Sequence, residues 1–160
     1  HFQGLVLQQK AGIELTHVAY RGMAAVVPAL IGGTLPASMA VTGDVTQHIA
    51  SGKLRALAVT SEKRSRFLPD VPTFAELGFP EVTGVDWYGI FVPAATPAAV
   101  VEKLHRLIVA GVQEAPFAEN LAKNGFDPYT LPSAEFARRI ESEARRWGPI
   151  VKASGFTAES

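Results

Sequence analysis

Apolar and polar residues in the first sixty positions switch between a period-two spacing and a helical spacing. Residues 13–20 (IELTHVAY) alternate as a strand does, and residues 54–59 (LRALAV) are rich in aliphatic side chains. Between them, a run with helical spacing opens at Gly22 and ends at Gly32 and Gly33. Strands separated by short helices are typical of a parallel sheet with helical crossovers, so the pattern predicts an α/β fold.

Turn and capping residues predict the remaining elements. The predicted strands are residues 35–41, 85–92 and 127–130. In the first half of the chain, the predicted helices are one that ends at Gly12, one over residues 45–50 that Asp44 caps, and a short one from Thr73 to near Gly78. In the second half, they are one after Thr96-Pro97, one from Pro116 to Asn124, and a last one that Ser133 caps and that is broken or kinked at Gly148-Pro149.

Composition excludes several classes of protein. The chain has 160 residues, about one ordinary domain, and its 15 basic residues equal its 15 acidic ones, so no basic surplus favours a nucleic acid. The absence of cysteine excludes disulfides, thiolate metal sites and cysteine nucleophiles. The longest apolar stretch, residues 23–31, is too short to cross a bilayer, and the first residues do not have the pattern of a signal peptide.

A search for catalytic motifs finds none. The four histidines, His1, His17, His48 and His105, share no spacing typical of metal ligands. No phosphate-binding loop, nucleophile elbow or S-x-x-K tetrad is present. We therefore predict no catalytic residue, no metal and no cofactor.

Two predicted strand-to-helix junctions combine glycine with polar side chains. Arg21 and Gly22 follow the first strand, and Thr42 and Gly43 follow the second. In an open parallel sheet, ligands gather beyond the carboxyl ends of the strands, where helix N-termini offer unpaired N–H groups and a positive partial charge. The two junctions therefore predict one edge of a ligand-binding cleft, the ligand lip, which binds a carboxylate. The alternative is that both junctions are ordinary turns, in which Asp44 caps its helix and Arg21 is solvated.

Several motifs in register resemble the tripartite tricarboxylate transporter receptors, the Bug family of periplasmic solute-binding proteins. They are residues 17–22 (HVAYRG), 29–33 (ALIGG), 48–60 (HIASGKLRALAVT), 68–73 (LPDVPT), 76–78 (ELG), 87–89 (WYG), 93–97 (PAATP) and 146–148 (RWG). The resemblance covers residues 1 to about 155. After the second strand, many members carry an acidic residue and an amide residue. At that place this chain has Thr42 and Asp44 instead.

The resemblance implies a periplasmic-binding-protein-like type II clamshell of α/β type, of which this chain is the carboxyl-terminal half. Residues 1–83 would be a partial second domain that carries the ligand lip, residues 84–93 a crossover strand and hinge, and residues 94–160 the C-terminal helical part of the first domain. The implied function is extracytoplasmic capture of a small carboxylate for the membrane permease components of such a transporter, in the periplasm and without catalysis.

The candidate ligand-binding residues are Tyr20, Arg21, Gly22, Met23, Thr42, Gly43, Asp44 and Trp87. Backbone N–H groups at the two helix starts would hold the carboxylate, and Tyr20 and Trp87 would form walls. For Trp87 the alternative is a core aromatic near the hinge.

Two other functions remain open at this point. The effector domain of a LysR-type transcription regulator has a similar clamshell but carries a DNA-binding module upstream, and a clamshell-fold enzyme is a third possibility. We also expect the helix after Pro97 to expose apolar residues, Leu104, Leu107 and Ile108, so that the chain self-associates or retains a complementary fragment.

Overall fold

Six α-helices and one 3₁₀ helix make up the regular structure of residues 1–156. The computed structural model describes residues 1–156. The helices are α1 (Phe2–Ala11), α2 (Met23–Ile31), α3 (Thr42–Ala50), α4 (Ala98–Gln113), α5 (Ala115–Lys123) and α6 (Ser133–Ala153), and the 3₁₀ helix is Pro80–Val82.

Glycine and proline set several helix boundaries as predicted. The first helix ends at Gly12, which adopts the left-handed conformation at φ 63° and donates its N–H to the carbonyl of Gln8. Helix α2 begins directly after Gly22, and α4 begins directly after Pro97. The helices predicted at these places are therefore confirmed, to within one or two residues.

Three helix predictions were wrong in detail. Helix α3 begins at Thr42, not at residue 45, so Val41 is its N-cap and Asp44 lies in its first turn. The segment from Thr73 to Gly78 forms hydrogen-bonded turns, too short for a helix. Helix α6 continues through Pro149, so the predicted break there is wrong, whereas the alternative of a kink stays a prediction.

The last turns of α6 continue past Pro149. Pro149, Ile150 and Ala153 line a groove of about 320 Å³ together with Leu5 and Val6 of α1. A proline inside a helix removes one N–H donor, and four residues of α6 still follow it.

No β-strand occurs within the described residues. The segments predicted as strands, at 13–20, 35–41, 54–59, 85–92 and 127–130, lie outside regular secondary structure. A strand is defined by its hydrogen bonds to a neighbouring strand. Among the described residues of these segments, only Val59 pairs in this way, in an isolated parallel bridge to Thr73. The parallel sheet is not formed by these residues, and the clamshell built on it stays a prediction.

The chain divides into two units. The first comprises His1–Val85 together with the segment from Trp147 onward, and the second comprises Asp86–Arg146. The predicted assignment of residues 1–83, 84–93 and 94–160 to the lobes of a clamshell stays a prediction.

The first unit holds the small core. Val6 of α1, Val26 and Val27 of α2, and Val82 of the 3₁₀ helix are the buried apolar residues, and Val82 has no exposed surface. An ion pair of 2.8 Å between Lys10 and Glu81 joins α1 to the 3₁₀ helix. The core therefore depends on contacts between α1 and the 3₁₀ helix.

The chain exposes more surface than a folded protein of its size. Its accessible surface is 11595 Å² for a mass of 17.1 kDa. A folded monomer of that mass exposes about 7,700 Å², and two separate globules of the sizes of the two units would expose about 9,300 Å². Much apolar surface that a complete domain would bury thus remains accessible.

A capping box organises the turn after Thr73. The main-chain N–H of Thr73 donates to Glu76 Oε2 at 2.7 Å, and the N–H of Glu76 donates to Thr73 Oγ1 at 3.1 Å. Arg64 Nε donates to both carboxylate oxygens of Glu76. Thr73 is 2% exposed, so the box satisfies polar groups beside the bridge to Val59.

We predict that Val82→Ala lowers the free energy of unfolding by about 2 kcal/mol, because it removes two buried methyl groups and leaves a cavity. Urea denaturation measures the change. The matched control is Val85→Ala, since Val85 is 51% exposed, and it changes the free energy by less than about 0.5 kcal/mol. Equal effects of the two substitutions would contradict the assigned core.

We also predict an acid-side loss of stability that depends on Glu76. The Thr73 N–H hydrogen bond, and then Arg64, hold the pKa of Glu76 below its ordinary value. A carboxyl with a lowered folded pKa stabilises the fold above its unfolded pKa, and this contribution is lost as the pH falls through the folded pKa.

Glu76→Gln should therefore flatten the acid limb of unfolding free energy plotted against pH between 7 and 3. The exposed Glu119 of α5, changed to Gln, is the matched control and should leave the limb unchanged. An acid limb of the same slope in the wild-type protein and in Glu76→Gln would show that the box contributes nothing.

Candidate functional site

The N-terminus of α2 is free of side-chain caps. Gly22 is its N-cap, at φ 82° and ψ 171°, and its N–H donates to the carbonyl of Tyr20 at 3.0 Å. Ala25 donates to the Gly22 carbonyl at 3.2 Å, whereas the N–H groups of Met23 and Ala24 have no main-chain acceptor within residues 1–156. No acidic residue lies in the first turn. The tip thus presents unpaired donors and a positive partial charge.

Side chains beside this tip add one charge and one ring. Arg21 is exposed, and Tyr20 is half-buried. A Cβ added at Gly22 would meet no atom within 4 Å, but the φ of Gly22 is one that other residues rarely adopt. The four predicted residues from Tyr20 to Met23 are therefore adjacent at one helix start.

The N-terminus of α3 has a different electrostatic character. Its N-cap, Val41, has no capping side chain, but Asp44 places a carboxylate in the first turn. The Thr42 carbonyl accepts a hydrogen bond of 2.6 Å from Thr46 Oγ1. A carboxylate in the first turn already balances the helix partial charge, so this tip attracts an external anion less than α2 does.

Trp87 lies in the second unit. Its ring packs edge-to-face on Phe136 of α6, with centroids 5.1 Å apart. The Arg139 guanidinium lies 5.9 Å from the Trp87 ring and 6.0 Å from the ring of Tyr129. The other seven candidate residues all lie in the first unit.

The cluster around Arg139 was not predicted from the sequence. Arg139 Nε is buried without a hydrogen-bond partner, and Glu143 Oε1 is 3.8 Å away, beyond hydrogen-bond distance. The spacing of Phe136 and Arg139, three residues apart on one helix, was the available signal. Trp87 lies more than fifty residues before Arg139, and Tyr129 lies outside helix α6, so no helical spacing indicates either partner.

Other kinds of site receive no support from the described part of the chain. It contains no group of three or more metal-ligating side chains. It also contains no helix with the length and apolarity needed to span a bilayer. The groove between α1 and α6 is lined by none of the candidate residues.

A family model described as the tripartite tricarboxylate transporter family receptor, TctC, matches residues 1–156. The chain belongs to this receptor family. The membership expected from the motifs is thereby confirmed, and members of the TctC family are receptors, not enzymes.

Curated relatives give the same family. Protein BugT of Bordetella pertussis is 32% identical over 155 residues, which are 97% of this chain and 48% of BugT. A UPF0065 protein from the tcbD-tcbE intergenic region of Pseudomonas sp. strain P51 is 33% identical over 94% of this chain and 45% of its own length. The chain thus spans about half the length of these relatives. A further UPF0065 protein, from the clcB-clcD intergenic region of Pseudomonas knackmussii, is 30% identical to this chain, and the match covers 90% of that protein's length.

Solved structures confirm the fold at the level of the family. R. palustris Rpa4515 with adipate has a TM-score of 0.83 at 27% identity, and a periplasmic transporter has a TM-score of 0.84 at 30% identity. Each comparison covers 97% of this chain and 52% of the solved chain. The described residues therefore have the fold of part of a periplasmic solute-binding protein.

We predict opposite effects of alanine at two glycines. Gly22→Ala should destabilise the protein by about 1–2 kcal/mol, because alanine is strained at φ 82°. Gly4→Ala, inside α1 with nothing within 4 Å of the new Cβ, should stabilise it by about 0.5–1 kcal/mol. Thermal unfolding measures both. A stabilising effect at Gly22 would show that the tip does not need glycine.

Proposed function

We propose that this TctC-family chain supplies one lip of an extracytoplasmic receptor that captures a small carboxylate without catalysis. The observation that carries the proposal is the uncapped N-terminus of α2, with unpaired N–H groups, no acidic residue in its first turn and Arg21 beside it. Such a helix start is a ready-made site for an anion.

A carboxylate fits this tip better than a phosphate does. One carboxylate can accept from the N–H groups of Met23 and Ala24, and a single guanidinium balances its single charge. The relative Rpa4515 was solved with adipate, a dicarboxylate. We therefore assign this chain a carboxylate ligand class, with the α2 tip as the anchor for one carboxyl group.

The remaining candidate residues have secondary roles in this proposal. Thr42 and Gly43 offer a hydroxyl and backbone N–H groups at the start of α3, where Asp44 disfavours a fully charged group. Tyr20, half-buried beside the α2 tip, supplies a wall. A ligand with an anionic end and a neutral or hydroxylated middle fits this distribution of charge.

The wider context follows from the family. We propose that the complete receptor acts in the periplasm, where it delivers its ligand to the membrane permease components of a tripartite tricarboxylate-type transporter. Residues 1–83, 84–93 and 94–160 would be the ligand-lip domain, the crossover and the C-terminal part of the other domain. The regulator of the LysR type receives no support, since the relatives and structures described above are solute-binding proteins or their homologues.

Self-association is part of the same proposal. Helix α4 exposes Leu107 by 61% and Leu104 by 38%, and Ile108 is half-buried. Such a face favours contact with a second copy or with a complementary polypeptide. Light scattering should detect a species heavier than one chain, and a monomer at every concentration would contradict this part of the proposal.

Calorimetric titration with mono-, di- and tricarboxylates tests the binding site. Arg21→Ala should weaken binding of the best ligand a few-fold, because the backbone donors remain. Gly22→Val and Gly43→Val should abolish it, since a branched side chain at either start blocks approach to the N–H groups.

The matched control is Gly33→Val. Gly33 has φ 74°, so the substitution brings similar backbone strain, but it lies beyond the other end of α2. Affinity should be retained in this variant. Undiminished affinity in Gly22→Val and Gly43→Val would remove both helix starts from the site.

A further inference from the structure

Helix α5 ends in a turn made by the pair Asn124-Gly125. Gly125 has φ 74° and donates its N–H to the Ala122 carbonyl at 3.0 Å, while Phe126 donates to the Leu121 carbonyl at 2.9 Å. These two hydrogen bonds form a Schellman motif, which satisfies carbonyl groups at the end of a helix. The end of α5 is therefore closed by the turn at the Asn-Gly pair.

The Asn124 side chain fastens the same turn. Its Nδ2 donates to the Asn120 carbonyl at 2.8 Å and to Asn120 Oδ1 at 3.1 Å. Asn124 is exposed, so water reaches its carboxamide. A chemical change in that carboxamide would remove two hydrogen bonds from the last turn of α5 at once.

An asparagine followed by glycine has an intrinsic reaction with its own main chain. The nitrogen of the glycine attacks Cγ of the asparagine, and the absence of a glycine side chain leaves that approach unobstructed. The chain has two asparagines, and Asn124 is the one that precedes a glycine. Asn120 precedes Leu121, whose nitrogen lies inside α5 and whose side chain is branched.

We propose that Asn124 is a site of spontaneous covalent modification, in which water converts its carboxamide to a carboxylate and the end of α5 opens. In the first step, the Gly125 nitrogen bonds to Asn124 Cγ, the bond from Cγ to Nδ2 breaks, and ammonia leaves with the proton that Gly125 loses. The product is a five-membered succinimide. Water then opens this ring at Cγ, which gives aspartate, or at the main-chain carbonyl carbon of residue 124, which gives isoaspartate. Water is the only co-reactant, and neither step is a redox reaction.

The folded turn slows this reaction because it holds both reacting groups. The Gly125 N–H is bonded to Ala122, and the Asn124 side chain is bonded to Asn120. Attack on Cγ requires these bonds to break, so the reaction proceeds from the minor population in which the last turn of α5 is open. Helix ends fray, which makes that population accessible.

The carboxylate product does not replace the carboxamide as a fastener. It has no N–H to donate, and it faces two acceptors, the carbonyl oxygen and Oδ1 of Asn120. A negative charge at the C-terminus of a helix also opposes the helix dipole. Modification should therefore release the last turn of α5 together with Phe126, whose ring meets Tyr88 with centroids 5.4 Å apart.

The test incubates the chain at mildly alkaline pH and follows each asparagine by peptide mass spectrometry, with an isoaspartate methyltransferase assay on the products. Asn124 should be modified at least about tenfold faster than Asn120, the internal control, which is exposed on the same helix. Isoaspartate should be present among the products. Unfolding in urea should speed the modification of Asn124 at least about threefold, because the turn no longer holds the reacting groups.

Two variants test the consequence for the helix end. Asn124→Gln keeps a carboxamide but would need a six-membered ring, so residue 124 should stay unmodified. Asn124→Asp has the product's charge, and the amides of residues 124–126 should exchange with deuterium at least about tenfold faster than in the unmodified chain. Amides in the middle of α4 are the control and should exchange at an unchanged rate.

Four results would overturn the proposal. These are modification of Asn124 no faster than that of Asn120, a modified product without isoaspartate, a rate at Asn124 that urea does not raise, and unchanged exchange of residues 124–126 in Asn124→Asp. Because no ligand is present, none of these outcomes bears on the carboxylate site.

Discussion

Main-chain hydrogen bonding is the constraint on which the rest of this structure depends. Helices satisfy their own N–H and C=O groups, and the six helices form within the described chain. Extended segments need a neighbour, and the parallel bridge between Val59 and Thr73 is the one formed within residues 1–156. The buried core is accordingly small, and the accessible surface is about half as large again as that of a compact monomer.

The same principle of unpaired donors underlies the proposed site. A helix start leaves N–H groups without partners, and the first turn decides what satisfies them. In α3 that turn contains Asp44, whereas in α2 it contains no acidic residue and follows Arg21. In the proposed site, α2 is therefore the anchor for the anion.

Local signals in the sequence predicted what local interactions determine. Gly12 and Pro97 mark helix boundaries because their backbone conformations act within one turn. The T-x-x-E pattern of Thr73 and Glu76 is also a local signal, since it indicates a capping box. A short helix was predicted there, and the structure has a turn. The break predicted at Pro149 was wrong, because α6 continues for four residues past the lost N–H donor.

The sheet and the Arg139 cluster lay beyond such signals for another reason. Alternating residues predict that a segment can be a strand, but pairing requires a partner, and residues 13–20 and 54–58 have none in the described chain. Likewise, contact between Arg139 and Trp87 depends on tertiary packing between residues more than fifty positions apart. The family motifs predicted the family, because they carry information about the complete relatives.

Amide hydrogen exchange of the isolated chain tests the central claim most directly. If its extended segments lack partners, the amides of residues 16–20 and 55–58 should exchange at rates close to those of an unstructured peptide, while amides in the middle of α6 are protected. Protection of those extended segments equal to that of α6 would show that this chain satisfies its own main chain, and would contradict the account.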